Sequence, residues 1–219
     1  VERGFALQAA KNEAARVNRA KTQFLAAASH DLRQPLHAMQ MYLAALRDNL
    51  REPDSLRIVQ DIETVATTTG RVLNALLDVS QLEAGNVRVS RRDFPVSELI
   101  DRLTRAFSPL AQRRDLEFRV VRSSAALHSD PDLLERILAN FVSNAVNHTS
   151  SGKIVIGCRN RGSDIVIQIW DSGPGIPEDQ LEAVFDDFHQ LNDARRQLGR
   201  GIGLGLSIAR RVAVILGHP

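Results

Sequence analysis

The chain has 219 residues, enough for two domains with a core each, and its 43% hydrophobic and 25% charged content is ordinary for a folded protein. A net charge of +2 gives no general pull towards nucleic acid or anionic lipid, and no stretch approaches the roughly 20 apolar residues that cross a bilayer. No nucleic-acid partner and no membrane contact by this segment are therefore expected. The lone cysteine, Cys158, cannot make an intrachain disulfide, which fits a reducing compartment, and its apolar surroundings mark it as a core residue. No signal peptide opens the chain, whose first residues already read as mid-helix, so it is expected to be part of something longer.

Residues 4–50 read as one long helix, rich in alanine and free of glycine after Gly4. From Leu25, apolar residues recur at Leu32, Leu36, Met39, Leu43, Leu46 and Leu50, a narrow stripe suited to packing on other helices. His30 lies about 160° from the centre of that stripe at 100° per residue, which turns its imidazole to solvent beside the carboxylate of Asp31. Pro35 removes a backbone donor and is expected to bend the helix just past the histidine. These features suit a nucleophile that another protein surface must reach; a surface histidine with no chemical role would look the same. His37, on the same face, lacks the adjacent acid.

Residues 51–55 break the helix, and a second follows with Leu56, Val59, Ile62, Val65, Val72, Leu73, Leu76, Leu77 and Leu82 on its apolar side, ending at a Gly85-Asn86 cap. One hairpin cannot hide both stripes, whereas two hairpins in a four-helix bundle can, so a homodimer is expected. From residue 87 the character changes. Residues 88–94 read as a solvated basic linker and a short strand. Ser97 is the expected cap of a helix burying Leu99, Leu103, Phe107 and Leu110. Leu116, Phe118 and Val120 alternate as in a strand. Asp130-Pro131 starts a helix that runs to about His148, and strands over 153–158 and 164–170 meet at a turn around Gly162. A last helix is expected over 203–216. The mixture indicates an α+β sandwich rather than a doubly wound parallel sheet.

Three stretches of the second half carry chemistry. Leu134, Ile137, Leu138, Phe141 and Ala145 form the expected buried face of the helix after Pro131, while Asn140, Asn144 and Asn147 step by four and three along another. Asparagine is a mediocre helix former, and an amide oxygen is a hard ligand of the kind Mg²⁺ takes together with phosphates and water. A plain polar stripe is the other reading. Asp171-Ser172-Gly173-Pro174-Gly175-Ile176 puts a carboxylate at a strand end before two glycines, where it can accept an exocyclic amine such as that of adenine; an ordinary tight turn is similar. Gly199-Arg200-Gly201-Ile202-Gly203-Leu204-Gly205-Leu206 leads into a helix, freeing backbone amides for an anion at a helix N-terminus. Its spacing is that of neither a Walker loop nor a Rossmann turn. The polar residues 190–198, with Arg195 and Arg196, suit a cover over phosphates or a simple loop.

In order, these motifs resemble the transmitter core of bacterial sensor histidine kinases. His30-Asp31-Leu32-Arg33-Gln34-Pro35-Leu36 is similar to the family's phospho-acceptor box, and Asn140-Phe141-Val142-Ser143-Asn144-Ala145 to its asparagine box. Asp171-x-Gly173-x-Gly175 is similar to its first glycine box, Phe185-Asp186-Asp187-Phe188 to its phenylalanine box, and Gly201-x-Gly203-x-Gly205-Leu206 to its second. Gyrase-, chaperone- and mismatch-repair-type ATPases share the asparagine and glycine boxes but lack the histidine hairpin.

The resemblance implies a dimerisation and phosphotransfer hairpin over 1–86 and a Bergerat-type ATP-binding domain over 87–219 that lacks its closing strands. It implies a protein-histidine autokinase of a two-component system, cytoplasmic or the cytoplasmic part of a membrane-anchored sensor. His30 would be the phospho-acceptor and Asp31 its general base, with ATP and Mg²⁺ as cofactors. Asn144 would hold the metal, supported by Asn140, and Asp171 would read adenine. Asn147, His148, Gly173, Gly175, Ile176, Phe188, Gly201, Gly203, Leu204, Gly205 and Leu206 would complete the nucleotide site. The partners implied are a second copy and a response-regulator receiver domain, fused or separate. The chain departs from the family at Gln34, where relatives with phosphatase activity have threonine or asparagine, and at Asn147, where many have a basic residue. The rival from another class is a catalytically silent, nucleotide-binding dimerisation scaffold.

Overall fold

The computed structural model describes residues 32, 34–83, 87–162, 164–191 and 203–218. They fall into two compact units, one ending at Val87 and the other beginning at Arg88.

The first unit is a helical hairpin: α1 (34–49) and α2 (Pro53–Glu83). The turn is closed by its own side chains. Arg51 Nη1 donates to the carbonyls of Asp48 (3.3 Å) and Leu50 (3.2 Å), acceptors that the end of α1 leaves unpaired. Pro53 occupies the first position of α2, where a missing N–H costs nothing, and Ser55 Oγ donates back to Glu52 Oε2 at 2.9 Å. Leu43, Val59 and Ala66 form the seam, with Leu50 against it, and Arg47 pairs with Glu63 across the hairpin at 3.5 Å. Met39, Leu46, Ile62, Val65 and Leu76 remain exposed, Val65 at 60%. Residues 34–49 are helical; most of the turn before Pro35, where the bend is expected, lies outside the described residues. Residues 84–86, with the Gly85-Asn86 cap, lie outside the described residues.

The second unit runs β1 (Arg92–Pro95), α3 (Val96–Gln112), β2 (Leu116–Val120), β3 (Ala126–Ser129), α4 (Pro131–His148), β4 (Gly152–Arg161), β5 (Asp164–Asp171), two short 3-10 turns at Glu178–Gln180 and Ala183–Phe185, and α5 (Gly205–Leu216). β1 pairs antiparallel with β3; β2, β4 and β5 form a second sheet, parallel between β2 and β4 and antiparallel between β4 and β5. Side chains alternate across a strand, so Ile154 and Ile156 enter the core while Val155 and its cross-strand neighbour Trp170 lie on the other face, Trp170 64% exposed. The helices complete the core with Leu99, Ile100 and Leu103 from α3, Leu138 and Val142 from α4, and Ile208 and Val212 from α5. This is the expected α+β arrangement of mixed strands and helices.

Several local expectations give way. The N-cap of α3 is Pro95, not Ser97, and it makes no side-chain cap bond; the first amide of the helix, that of Val96, donates instead to the Ala125 carbonyl of the segment before β3 at 2.9 Å. Leu110 is exposed beside Pro109, and Phe107 is half-buried; Val96, Ile100 and Ala111 take the buried positions. On α4, Val142 rather than Phe141 is fully buried. α5 begins two residues later than expected, at Gly205. Cys158 is half-buried rather than a core residue. The four-residue β3 escaped notice because it is too short for its alternation to be read.

Residues 88–91 are not a free linker. The Ser90 amide donates to Asp130 Oδ2 (2.7 Å), and Arg91 Nη2 donates to the carbonyl of Leu216 at the end of α5 (3.0 Å). His218 Nε2 lies 3.0 Å from Ser129 Oγ; burial, and then the charge of Arg91, hold its pKa below the usual histidine value.

Candidate functional site

α4 is the backbone of the site, and its start is held tightly. Asp130 caps it, its carboxylate accepting from the amides of Asp132 (3.1 Å) and Leu133 (3.0 Å) as well as Ser90. Burial alone would raise the Asp130 pKa, but the donors Leu133, Ser90 and Asp132 outweigh it and keep the group ionised to below the ordinary carboxylate range.

Nearly three turns further along, Asn140 Nδ2 donates to the carbonyl of Arg136 at 2.9 Å, which leaves Oδ1 free to face away from α4. It is aimed at the start of α5. A β-carbon at Gly205 would stand 2.9 Å from that oxygen, so a larger residue there would push the Asn140 amide out of its present place. The N-cap position of α5, Leu204, makes no side-chain cap bond, so the first amides of α5 have no side-chain acceptor from it. An amide oxygen and a helix N-terminus thus converge at one point.

The strand-end turn reaches the other end of α4. Asp171 Oδ1 accepts from the Gly173 amide (2.8 Å) and from Thr149 Oγ1 (3.4 Å), Thr149 being the buried residue that ends α4. A β-carbon on Gly173 would lie 2.7 Å from the Asp171 carboxylate and 3.3 Å from the His148 carbonyl. Ser172 Oγ fastens the turn to β4, accepting from the Lys153 amide (2.9 Å) and donating to the Ser151 carbonyl (3.0 Å). Gly175 is left-handed (φ 72°) in open space, and Ile176 is exposed.

The remaining expected residues divide. Asn144 and Asn147 are half-buried, Asn147 Nδ2 donating to Ser143 Oγ at 3.3 Å, and His148 is exposed. Phe188 is exposed and left-handed (φ 63°), its amide donating to the Gly203 carbonyl at 3.0 Å. Gly203 packs so closely on His189 that a β-carbon would come within 2.5 Å of its carbonyl oxygen. Leu204 departs from expectation: only 2% exposed, its side chain belongs to the core, so only its backbone can face a ligand. Leu206 is half-buried in the first turn of α5. His30, Asp31 and Gly201 lie outside the described residues. Among the described residues no three His, Cys, Asp or Glu side chains converge, so a divalent ion here would depend on amide oxygens, water and the oxygens of its ligand. Thr149 and Arg211 were not singled out from sequence, and Asp187 only as part of the phenylalanine-box match, with no partner assigned to it; a polar residue directly after the asparagine helix was the only hint of Thr149.

Residues 129–218 match the family model of the histidine kinase-, DNA gyrase B- and HSP90-like ATPases, and residues 20–85 match that of the histidine kinase A phospho-acceptor domain. The chain is a histidine kinase transmitter core. The sensor histidine kinase RcsC of Escherichia coli K12 is 29% identical over 209 residues, which cover 94% of this chain and 22% of RcsC. The autoinducer 2 sensor kinase/phosphatase LuxQ of Vibrio cholerae is 32% identical over 221 residues, covering 95% and 25%. The transmitter core thus spans about a quarter or less of the curated relatives it matches. Full-length ShkA, solved with AMPPNP, shares the fold at 23% identity with a TM-score of 0.70, over 89% of this chain and 41% of that one. ThkA, solved in complex with the response regulator TrrA, does so at 23% identity and a TM-score of 0.60, over 95% and 60%. Among the described residues of the transmitter core, no helix is long and apolar enough to cross a membrane.

Proposed function

We propose that this transmitter core is an ATP-dependent protein-histidine autokinase that phosphorylates His30 and passes the phosphoryl group to an aspartate of a response-regulator receiver domain. The observation that carries the reading is the meeting of Asn140 Oδ1 with the glycine start of α5. An anion binds best where unpaired amides and a helix dipole point, and a hard oxygen beside it suits a phosphate-bound Mg²⁺. Asn144 and Asn140 would hold that ion, which supplies charge neutralisation on the phosphates. The amides around Gly203 and Gly205 would hold the phosphates themselves, and the Asp171 carboxylate would accept the amine of adenine.

In the transfer, a lone pair on a ring nitrogen of His30 forms the N–P bond, while the bond from the γ-phosphorus to the bridging oxygen breaks and ADP leaves with its electrons. The imidazole is neutral when it attacks, and as the N–P bond forms the proton on its other ring nitrogen passes to the carboxylate of Asp31, so positive charge does not accumulate on the acceptor. Residues 1–86 would serve as the dimerisation and acceptor domain and 87–219 as the ATP-binding domain, in a cytoplasmic homodimer. ThkA's complex with a response regulator supports a receiver as partner.

The test is incubation with γ-labelled ATP and Mg²⁺. Label stable to alkali, lost in acid and chased onto a receiver domain is the expected result. Nucleotide binding without any protein-bound label would leave the scaffold reading in its place.

A further inference from the structure

One ion pair ties the two sides of the phosphate end together without belonging to the nucleotide motifs' glycines. Asp187 directly precedes left-handed Phe188, and Arg211 lies in the second turn of α5. Arg211 Nη2 donates to Asp187 Oδ2 at 2.7 Å, both side chains being 32% exposed. Ser207, 3% exposed in the first turn of α5, also reaches that carboxylate, and its hydroxyl stands 3.0 Å from the Leu204 carbonyl. Burial works against the charge on Asp187, but Ser207 and Arg211 together hold its pKa below the usual carboxylate value.

The consequence lies in the backbone. Residues 187–189 are fixed to the body of α5 by the ion pair and to the entry of α5 by the Phe188–Gly203 bond and the packing of Gly203 on His189. No side chain caps α5, so the direction of its first amides is set by how the chain enters at Gly203–Leu204. We propose that Asp187 and Arg211 are positioning residues: a clamp that fixes the entry of α5, and with it the amides that face the nucleotide's phosphates, without touching the nucleotide. This rests on the phosphate site proposed above. The alternative is a salt bridge that stabilises the domain evenly, and ligand dependence separates the two.

Titration calorimetry of the full chain with ATP, ADP and adenosine provides the test. Small misplacements of binding groups are costly, so Arg211→Ala and Asp187→Ala are each expected to weaken ATP and ADP by roughly tenfold and leave adenosine unchanged. The double variant is expected to lose no more than either single one, because the two residues act as a unit. Arg211→Lys, which keeps the charge but not the fork, serves if the alanine variant does not fold, and is expected to give a smaller loss of the same pattern. Unchanged ADP affinity, equal losses for adenosine and ADP, or additive losses in the double variant would overturn the clamp. A parent chain that fails to bind ATP at all would overturn the proposed function and the clamp with it, whereas the other outcomes leave that function standing.

Discussion

Gly203 and Gly175 share a left-handed backbone, with φ of 75° and 72°, yet their surroundings differ completely. At Gly175 nothing lies within 4 Å of an added β-carbon, so Gly175→Ala should cost only the conformational penalty, about 1 kcal/mol. At Gly203 the same carbon would meet the backbone of Phe188 and His189, which cannot swing aside, and Gly203→Ala should cost about 2–3 kcal/mol. Chemical denaturation of both variants checks the ranking, and equal losses would show that the close approach is not real. The Asp171 carboxylate is expected to matter as an acceptor: Asp171→Asn should weaken ATP by roughly 10- to 100-fold, as loss of a charged hydrogen bond does, and adenosine by the same factor. Calorimetry reads both, and a loss confined to ATP would refute an adenine role. The spacing of these glycines was visible in the sequence. Which of them is crowded was not, because the obstructing atoms at Gly203 belong to a segment fourteen residues away.

At the scale of elements, α4 is the part most fully written in local chemistry. A capping acid followed by proline places its start correctly, since both act on the adjacent turn. Asp130→Ala should lower stability by about 1–2 kcal/mol, measured by urea unfolding at neutral pH. Because the folded pKa of Asp130 is depressed, its contribution is complete above the ordinary carboxylate pKa and is lost as pH falls through the folded value. The gap between parent and variant should therefore narrow on acidification below about pH 4, and a constant gap would contradict this role. α3 shows the opposite lesson. Ser97 has the right chemistry for a cap, but the helix starts ahead of it at Val96, whose amide the Ala125 carbonyl from a distant segment accepts. The choice of Val142 over Phe141 for the core likewise depends on which neighbours α4 meets, a tertiary fact that a seven-residue pattern does not contain.

For the whole molecule, the hairpin leaves an apolar face uncovered. A groove on α1 lined by Pro35, Ala38, Met39, Tyr42, Leu43 and Leu46 continues the exposed character of Ile62, Val65 and Leu76 on α2. A second hairpin would bury these residues at a gain of roughly 1.5–3 kcal/mol for each large side chain fully covered. The chain should sediment as a dimer, and Val65→Asp with Ile62→Asp should yield a monomer; a monomeric parent would contradict the bundle. The division into a hairpin and an α+β unit was legible because period and composition change near residue 87. The docking of residues 88–91 onto Asp130 and Leu216 was not, since arginine-rich segments look the same whether solvated or bonded to carbonyls.

The central claim concerns the chemistry of one imidazole, and site-resolved mass spectrometry at neutral to alkaline pH after reaction with ATP and Mg²⁺ tests it most directly. The account predicts a single phosphoryl group on the peptide bearing His30, absent in His30→Gln and undiminished in His37→Gln. A phosphoryl group on His37, or one that survives in His30→Gln, would contradict it.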